Sequence, residues 1–115
     1  MAYTLIHHTG CGSSKKGLAL LQENGIEPEV RKYMNKSDML SEDELRTIAN
    51  KMGKVSPRAF LRAKDAEKFG LAESASDDEV FAAMAADPRL IQRPIGISGR
   101  KAVLGRPNEK LLDIA

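Results

Sequence analysis

Apolar residues recur along the chain with two different periods, and the switches between them mark its elements. Residues 3–6, Y-T-L-I, are a short β-like run. From Ser13 the spacing turns helical: Leu18 and Leu21 share a face at i, i+3, and Asn24-Gly25 ends the run as a C-cap. Pro28 then precedes residues 30–33, a second strand-like run. A strand, a helix of three turns and a second strand make a βαβ unit, which predicts a parallel pair.

The middle of the chain is helical. Ser41-Glu42-Asp43-Glu44 has the S-x-x-E form of a capping box, and Leu45, Ile48, Ala49 and Met52 follow at helical spacing until Gly53. Ser56-Pro57 opens a short piece with proline at its first helical position, and residues 64–69 form another that stops at Gly70. Ser76-Asp77-Asp78-Glu79 repeats the capping box ahead of Val80, Ala83 and Met84, and Asp87-Pro88 ends that helix. Residues 95–97 and 101–104, joined through Ser98-Gly99, read as a β-hairpin. Gly105-Arg106-Pro107 leads into a last helix bearing Leu111, Leu112 and Ile114. The predicted order is β-α-β, a helical block, then β-β-α. That order fits an α/β, thioredoxin-like fold: a four-stranded mixed sheet in one domain, 1–115, with a helical insertion at about 41–92. In such folds a reactive cysteine sits where strand one meets helix one, and a proline precedes the third strand beside it. Cys11 and Pro94 occupy those places.

Composition narrows the function. A net charge of +2, few aromatics and no Trp argue against a nucleic-acid partner. No apolar run approaches the roughly 18 residues of a membrane span, and M-A-Y-T-L-I-H-H does not read as a signal peptide. The single cysteine excludes an internal disulfide, so a cytoplasmic, reducing compartment is expected.

The chemistry centres on residues 5–16, L-I-H-H-T-G-C-G-S-S-K-K. Gly10 and Gly12 are expected to let the chain turn sharply around Cys11. The unpaired amides at a helix start favour a thiolate and also bind oxyanions, so one loop can hold a nucleophile and an anion together. Gly12, Ser13 and Ser14 are therefore candidate anion-binding residues, with simple helix capping an equal prospect for each serine. A C-x-x-C pair would need cysteine where Ser14 stands, so any adduct on Cys11 must be cleared by an external thiol. A C-x5-R phosphatase loop would need arginine where Gly17 stands, so anion-binding charge must come from distant residues. No metal site is expected: His7 and His8 are adjacent on a strand end and point apart. Of the two, His7 is the candidate to approach Cys11, with a packing role alone an equal prospect.

Five segments in order carry a resemblance that spans nearly the whole chain. They are H-x3-C-G-x-S at 7–14, R-A-F-L-R at 58–62, F-G-L-A-E at 69–73, L-I-Q-R-P-I at 90–95 and G-R-P-N-E at 105–109. The chain resembles the glutaredoxin-coupled arsenate reductase (ArsC) family of the thioredoxin-like superfamily. The resemblance implies Cys11 as nucleophile toward arsenate, His7 tuning or orienting it, and Arg62, Arg93 and Arg106 holding the oxyanion. It also implies a covalent cysteine–arsenate adduct, attack by glutathione as co-substrate, removal of the oxidised thiol by glutaredoxin, and release of arsenite. No tightly bound cofactor is expected. Taken singly, each arginine reads as surface charge; Arg58, Arg89 and Arg100 are left in that class or just behind the site. Two alternatives remain: a glutathione-dependent thiol oxidoreductase of the same family with another substrate, and a non-enzymatic ArsC/Spx-like regulatory module. Ser14 counts against the second, because those regulators generally sense redox state through C-x-x-C.

Overall fold

The computed structural model describes residues 2–115. Its strands are β1 (Tyr3–Ile6), β2 (Glu29–Arg31), β3 (Ile95–Ser98) and β4 (Lys101–Leu104). Its α-helices are α1 (Gly12–Glu23), α2 (Glu42–Lys51), α3 (Ala63–Phe69) and α4 (Asp77–Ala86). Short 3₁₀ turns occupy Lys36–Asp38, Pro57–Phe60, Pro88–Leu90 and Asn108–Ile114. The sheet order is β2-β1-β3-β4, with β1 and β2 parallel and the other pairs antiparallel. This is the mixed four-stranded sheet predicted for a thioredoxin-like chain.

Side-chain alternation divides the core into two layers. Tyr3 and Leu5 point to one face, where they pack with Leu21 of α1 and Leu111 of the terminal turn. Ile6 points to the other, into a larger cluster with Tyr33, Leu45, Ile48, Phe60, Val80, Met84, Ile91 and Ile95. Each fully buried side chain of this size contributes about 1.5–3 kcal/mol, whereas an exposed ion pair contributes at most about 1 kcal/mol. The layers therefore hold the fold, and pairs such as Arg46 with Glu42 and Asp78 add little.

Both predicted capping boxes close reciprocally. Glu44 N–H donates to Ser41 Oγ at 3.1 Å and Ser41 N–H to Glu44 Oε1 at 3.1 Å. The matching distances at Ser76 and Glu79 are 3.2 and 3.3 Å. Two elements depart from expectation. The second strand ends at Arg31, because Tyr33 turns into the core and its hydroxyl donates to the Ile91 carbonyl at 3.2 Å. The terminal segment is a 3₁₀ helix; its three-residue repeat brings Leu111 and Ile114 together on the face that meets the smaller core.

The two chain ends join beneath β3. Tyr3 Oη donates to the Leu111 carbonyl at 2.7 Å. A Cβ at Gly96 would lie 2.1 Å from Tyr3 Oη and 3.0 Å from Leu111 Cδ2. Gly96→Ala should therefore lower unfolding free energy by about 2 kcal/mol or more in urea titration, as overpacking of a close contact does. Tyr3→Phe removes the nearest clashing atom, so the double variant should lose less than the two single losses added together.

Candidate functional site

The site grows from the connection between β1 and α1. His7 N–H continues the β1–β2 ladder to the Arg31 carbonyl at 2.9 Å, and Cys11 N–H closes a turn onto the His8 carbonyl at 3.0 Å. Cys11 is the N-cap residue of α1, in extended conformation (φ −102°, ψ 123°). Neither Gly10 nor Gly12 has the positive φ that would demand glycine, so the expected glycine-driven turn is instead an ordinary one. The hydroxyl of buried Ser14 accepts the His8 N–H at 3.2 Å, fastening the loop to the first turn of α1. Thus neither hydroxyl is a helix cap: Ser14 braces the loop, and Ser13 Oγ accepts from Asn108 Nδ2 at 3.4 Å.

The sulfur takes the position of an N-cap side chain without closing a cap hydrogen bond of regular geometry. Partial burial is the largest single influence on the thiol and pushes its pKa up. The Ser14 amide, the Arg93 guanidinium and the Ser13 amide together outweigh it, so the thiol lies below its ordinary value. Arg106 adds a contact, Nη2 to Sγ at 3.9 Å. It is longer and more exposed than a strong charge-assisted bond, so Arg93 is the dominant cation.

The three arginines arrive on different elements. Arg62 is the N-cap of α3, Arg93 directly precedes β3, and Arg106 follows β4. The peptide bonds Arg93-Pro94 and Arg106-Pro107 are both cis. Arg62 and Arg93 are brought together by a short antiparallel rung in which Arg62 N–H donates to Leu90 O at 2.7 Å and Gln92 N–H to Phe60 O at 2.8 Å. Arg106 Nε donates to the Arg93 carbonyl at 2.9 Å. Arg93 and Arg106 thus reach the thiol itself. Arg62 joins the cluster through shared neighbours: with Arg93 it acts on both Tyr33 and His8.

Two participants were not singled out from sequence. Tyr33 is fully buried, with its hydroxyl pushed up to about 12 by that burial against the opposing influence of Arg93. It is a neutral polar support beneath the arginines. Asn108 Nδ2 donates to the Ser13 carbonyl at 3.1 Å and the Gly105 carbonyl at 2.9 Å, clamping the Arg106 loop to α1. Gly17 allows this approach: a Cβ there would lie 2.9 Å from Pro94 Cγ and 3.3 Å from Asn108 Nδ2. The G-R-P-N-E segment contained the Asn108 signal, but spacing alone does not give its target.

The two histidines sit in different surroundings. His7 is buried, its Nδ1 has no partner, and burial followed by the charges of His8, Lys32 and Lys15 keeps it below its ordinary pKa. Burial aside, the groups that act most strongly on the Cys11 thiol are the Ser14 amide, Arg93 and the Ser13 amide. His8 is the histidine that feels the arginines: burial, then Arg93 and Arg62, lower its pKa. Of the arginines set aside, Arg58 Nη2 ties the Ala72 and Ala75 carbonyls and Arg89 pairs with Asp87 at 2.8 Å. Among the described residues no group of three or more His, Cys, Asp or Glu side chains is placed to hold a metal.

Known proteins match nearly the whole chain. The family model described as the ArsC family matches residues 6–114. The chain is 38% identical to an arsenate reductase of Haemophilus influenzae over 117 aligned positions, covering 99% of each chain. It is 39% identical to an arsenate reductase of Neisseria meningitidis serogroup A, covering 93% of this chain and 92% of the relative. The solved structure of an arsenate reductase from Vibrio cholerae superposes with a TM-score of 0.91 at 37% identity, covering 100% of this chain and 98% of that one.

Removal of Arg93 leaves the burial penalty on the thiol with fewer opposing groups. Arg93→Ala should therefore titrate Cys11 at higher pH than wild type, followed by thiolate ultraviolet absorbance. The depressed thiol also links to stability. Between its folded value and the higher unfolded value, the unfolded chain holds a proton that the folded chain lacks, so stability rises with pH across that window and the increment is lost as pH falls through the folded value. Cys11→Ser should abolish that rise in urea titrations at graded pH.

Proposed function

The chain belongs to the ArsC family, and from that premise we propose that it reduces arsenate to arsenite, with Cys11 as nucleophile and glutathione and glutaredoxin as external thiols. The observation that carries this reading is the joint position of Cys11, facing the amides of Ser13 and Ser14 at the start of α1 and in reach of Arg93 and Arg106. The same groups that favour a thiolate also suit a tetrahedral oxyanion, because arginine offers paired donors and keeps its charge. The names of the similar proteins support arsenate as that oxyanion.

Electron balance sets the rest of the cycle. The Cys11 thiolate attacks arsenic, a sulfur–arsenic bond forms, and one arsenate oxygen leaves as water after protonation. Glutathione displaces a second oxygen in the same way. A glutaredoxin thiolate then attacks the glutathione sulfur. A disulfide forms between them, the sulfur–arsenic electron pair stays on arsenic, and As(V) becomes As(III). Water displaces Cys11 from arsenic, which frees arsenite and restores the thiol. The two electrons come from the two external thiols, as a chain with a single cysteine requires. Such a cycle suits a reducing compartment such as the cytoplasm. Gly12, Ser13 and Ser14 would supply helix-start amides to the anion, Arg62 and Arg106 would complete its shell, and His7 would keep the strand end in place behind the loop.

The test is arsenate-dependent NADPH oxidation coupled through glutathione reductase, with glutathione and glutaredoxin present. Wild type should turn over and Cys11→Ser should not. Arg62→Ala and Arg93→Ala should each lose about 10²-fold or more, as for removal of a positioned oxyanion donor. An arsenate-independent rate, or equal rates in wild type and Cys11→Ser, contradicts the reading.

A further inference from the structure

Two of the three arginines of the site are held at Nε, and one of the two partners lies outside the motif segments. Arg106 is held by its Nε, which donates to the Arg93 carbonyl, while its Nη2 lies over the Cys11 sulfur. Arg62 is held in the same way by a side chain: its Nε donates to Asp65 Oδ2 at 2.6 Å. We propose that Asp65 is a positioning residue of the oxyanion site, gripping the Nε edge of Arg62 so that both Nη groups are left for the anion. This rests on the oxyanion reading given above.

The geometry behind it is specific. Arg62 and Asp65 stand at N-cap and N3 of α3, the i, i+3 spacing at which side chains share a face. The backbone of Arg62 is fixed independently by its amide bond to the Leu90 carbonyl at 2.7 Å. With backbone and Nε both tied, the guanidinium plane has little freedom left. Among the described residues, Asp65 is the side chain that the Arg62 guanidinium binds. Both side chains are about 30% exposed, so the pair sits at the mouth of the site rather than sealed in the core. Arg93 also acts on the Asp65 carboxylate by charge, which places it beside the same cation cluster.

A carboxylate beside an anion site has two opposing effects. Its charge repels the incoming anion, and its grip pre-organises the arginine that binds it. Asparagine separates the two, since its carbonyl oxygen still accepts from Nε but carries no charge. Alanine removes both.

The experiment follows alkylation of Cys11 by iodoacetamide under increasing arsenate, without glutathione, in wild type, Asp65→Asn, Asp65→Ala and Arg62→Ala. The half-protecting arsenate concentration should rise about 10-fold in Asp65→Ala, from loss of pre-organisation, and should stay at or below the wild-type value in Asp65→Asn. Protection in Asp65→Ala equal to or better than wild type overturns the proposal. So does Asp65→Asn as weak as Asp65→Ala, because the Nε grip would then not be the cause. Intact protection in Arg62→Ala removes Arg62 from the anion site and overturns the proposal while leaving the oxyanion reading standing. No protection in wild type overturns both. If Asp65→Ala does not fold, Asp65→Glu replaces it: the longer side chain displaces the acceptor while keeping its charge, the same rise is expected, and wild-type protection contradicts the proposal.

Discussion

Two backbone hydrogen bonds, Arg62 to Leu90 and Gln92 to Phe60, close the helical insertion on itself. The placement of Arg62 beside Arg93 depends on that rung. It joins residues about thirty positions apart, for which loop closure costs roughly 3 kcal/mol beyond a constant. Phe60, Leu90 and Ile91 are all fully buried around it, and at about 1.5–3 kcal/mol each they more than offset that cost. The packing of α2 and α4 against this segment is thus what sets Arg62 beside Arg93. A chain with the same Cys11 loop and no closed insertion would have a helix-start thiol and only part of its cation shell.

At the thiol the forces are balanced rather than uniformly favourable. Burial works against the anion, and two amides and an arginine work for it. Two of the three arginines are tied at their Nε edges, Arg106 by a carbonyl and Arg62 by Asp65. Tyr33 supports Arg93 as a neutral partner, which avoids neutralising its charge. The result is a pocket of positive charge whose members are oriented before any anion arrives.

The parts of this arrangement that were legible in the sequence are the local ones. The capping boxes at Ser41 and Ser76, the hairpin of β3 and β4, and the cysteine between a strand and a helix are written in neighbouring residues. Serine in place of a second cysteine at position 14 limits the chemistry on local grounds alone. The triad was legible only through the resemblance, since nothing in the spacing of Arg62, Arg93 and Arg106 makes them converge. The rung from Phe60–Arg62 to Leu90–Gln92, the inward turn of Tyr33 and the clamp of Asn108 were not legible, because each depends on a partner far away in the chain. That His7 and His8 point apart was legible from the strand-end alternation, but the alternation does not say which face would carry the charge.

The most direct test is a crystal structure of the protein soaked with arsenate in the absence of external thiol. The account predicts arsenic bonded to Cys11 Sγ, with its oxygens met by the Ser13 and Ser14 amides and by guanidinium groups of Arg62, Arg93 and Arg106. Arsenate bound away from Cys11, or on the sulfur with the three arginines turned to solvent, would contradict it.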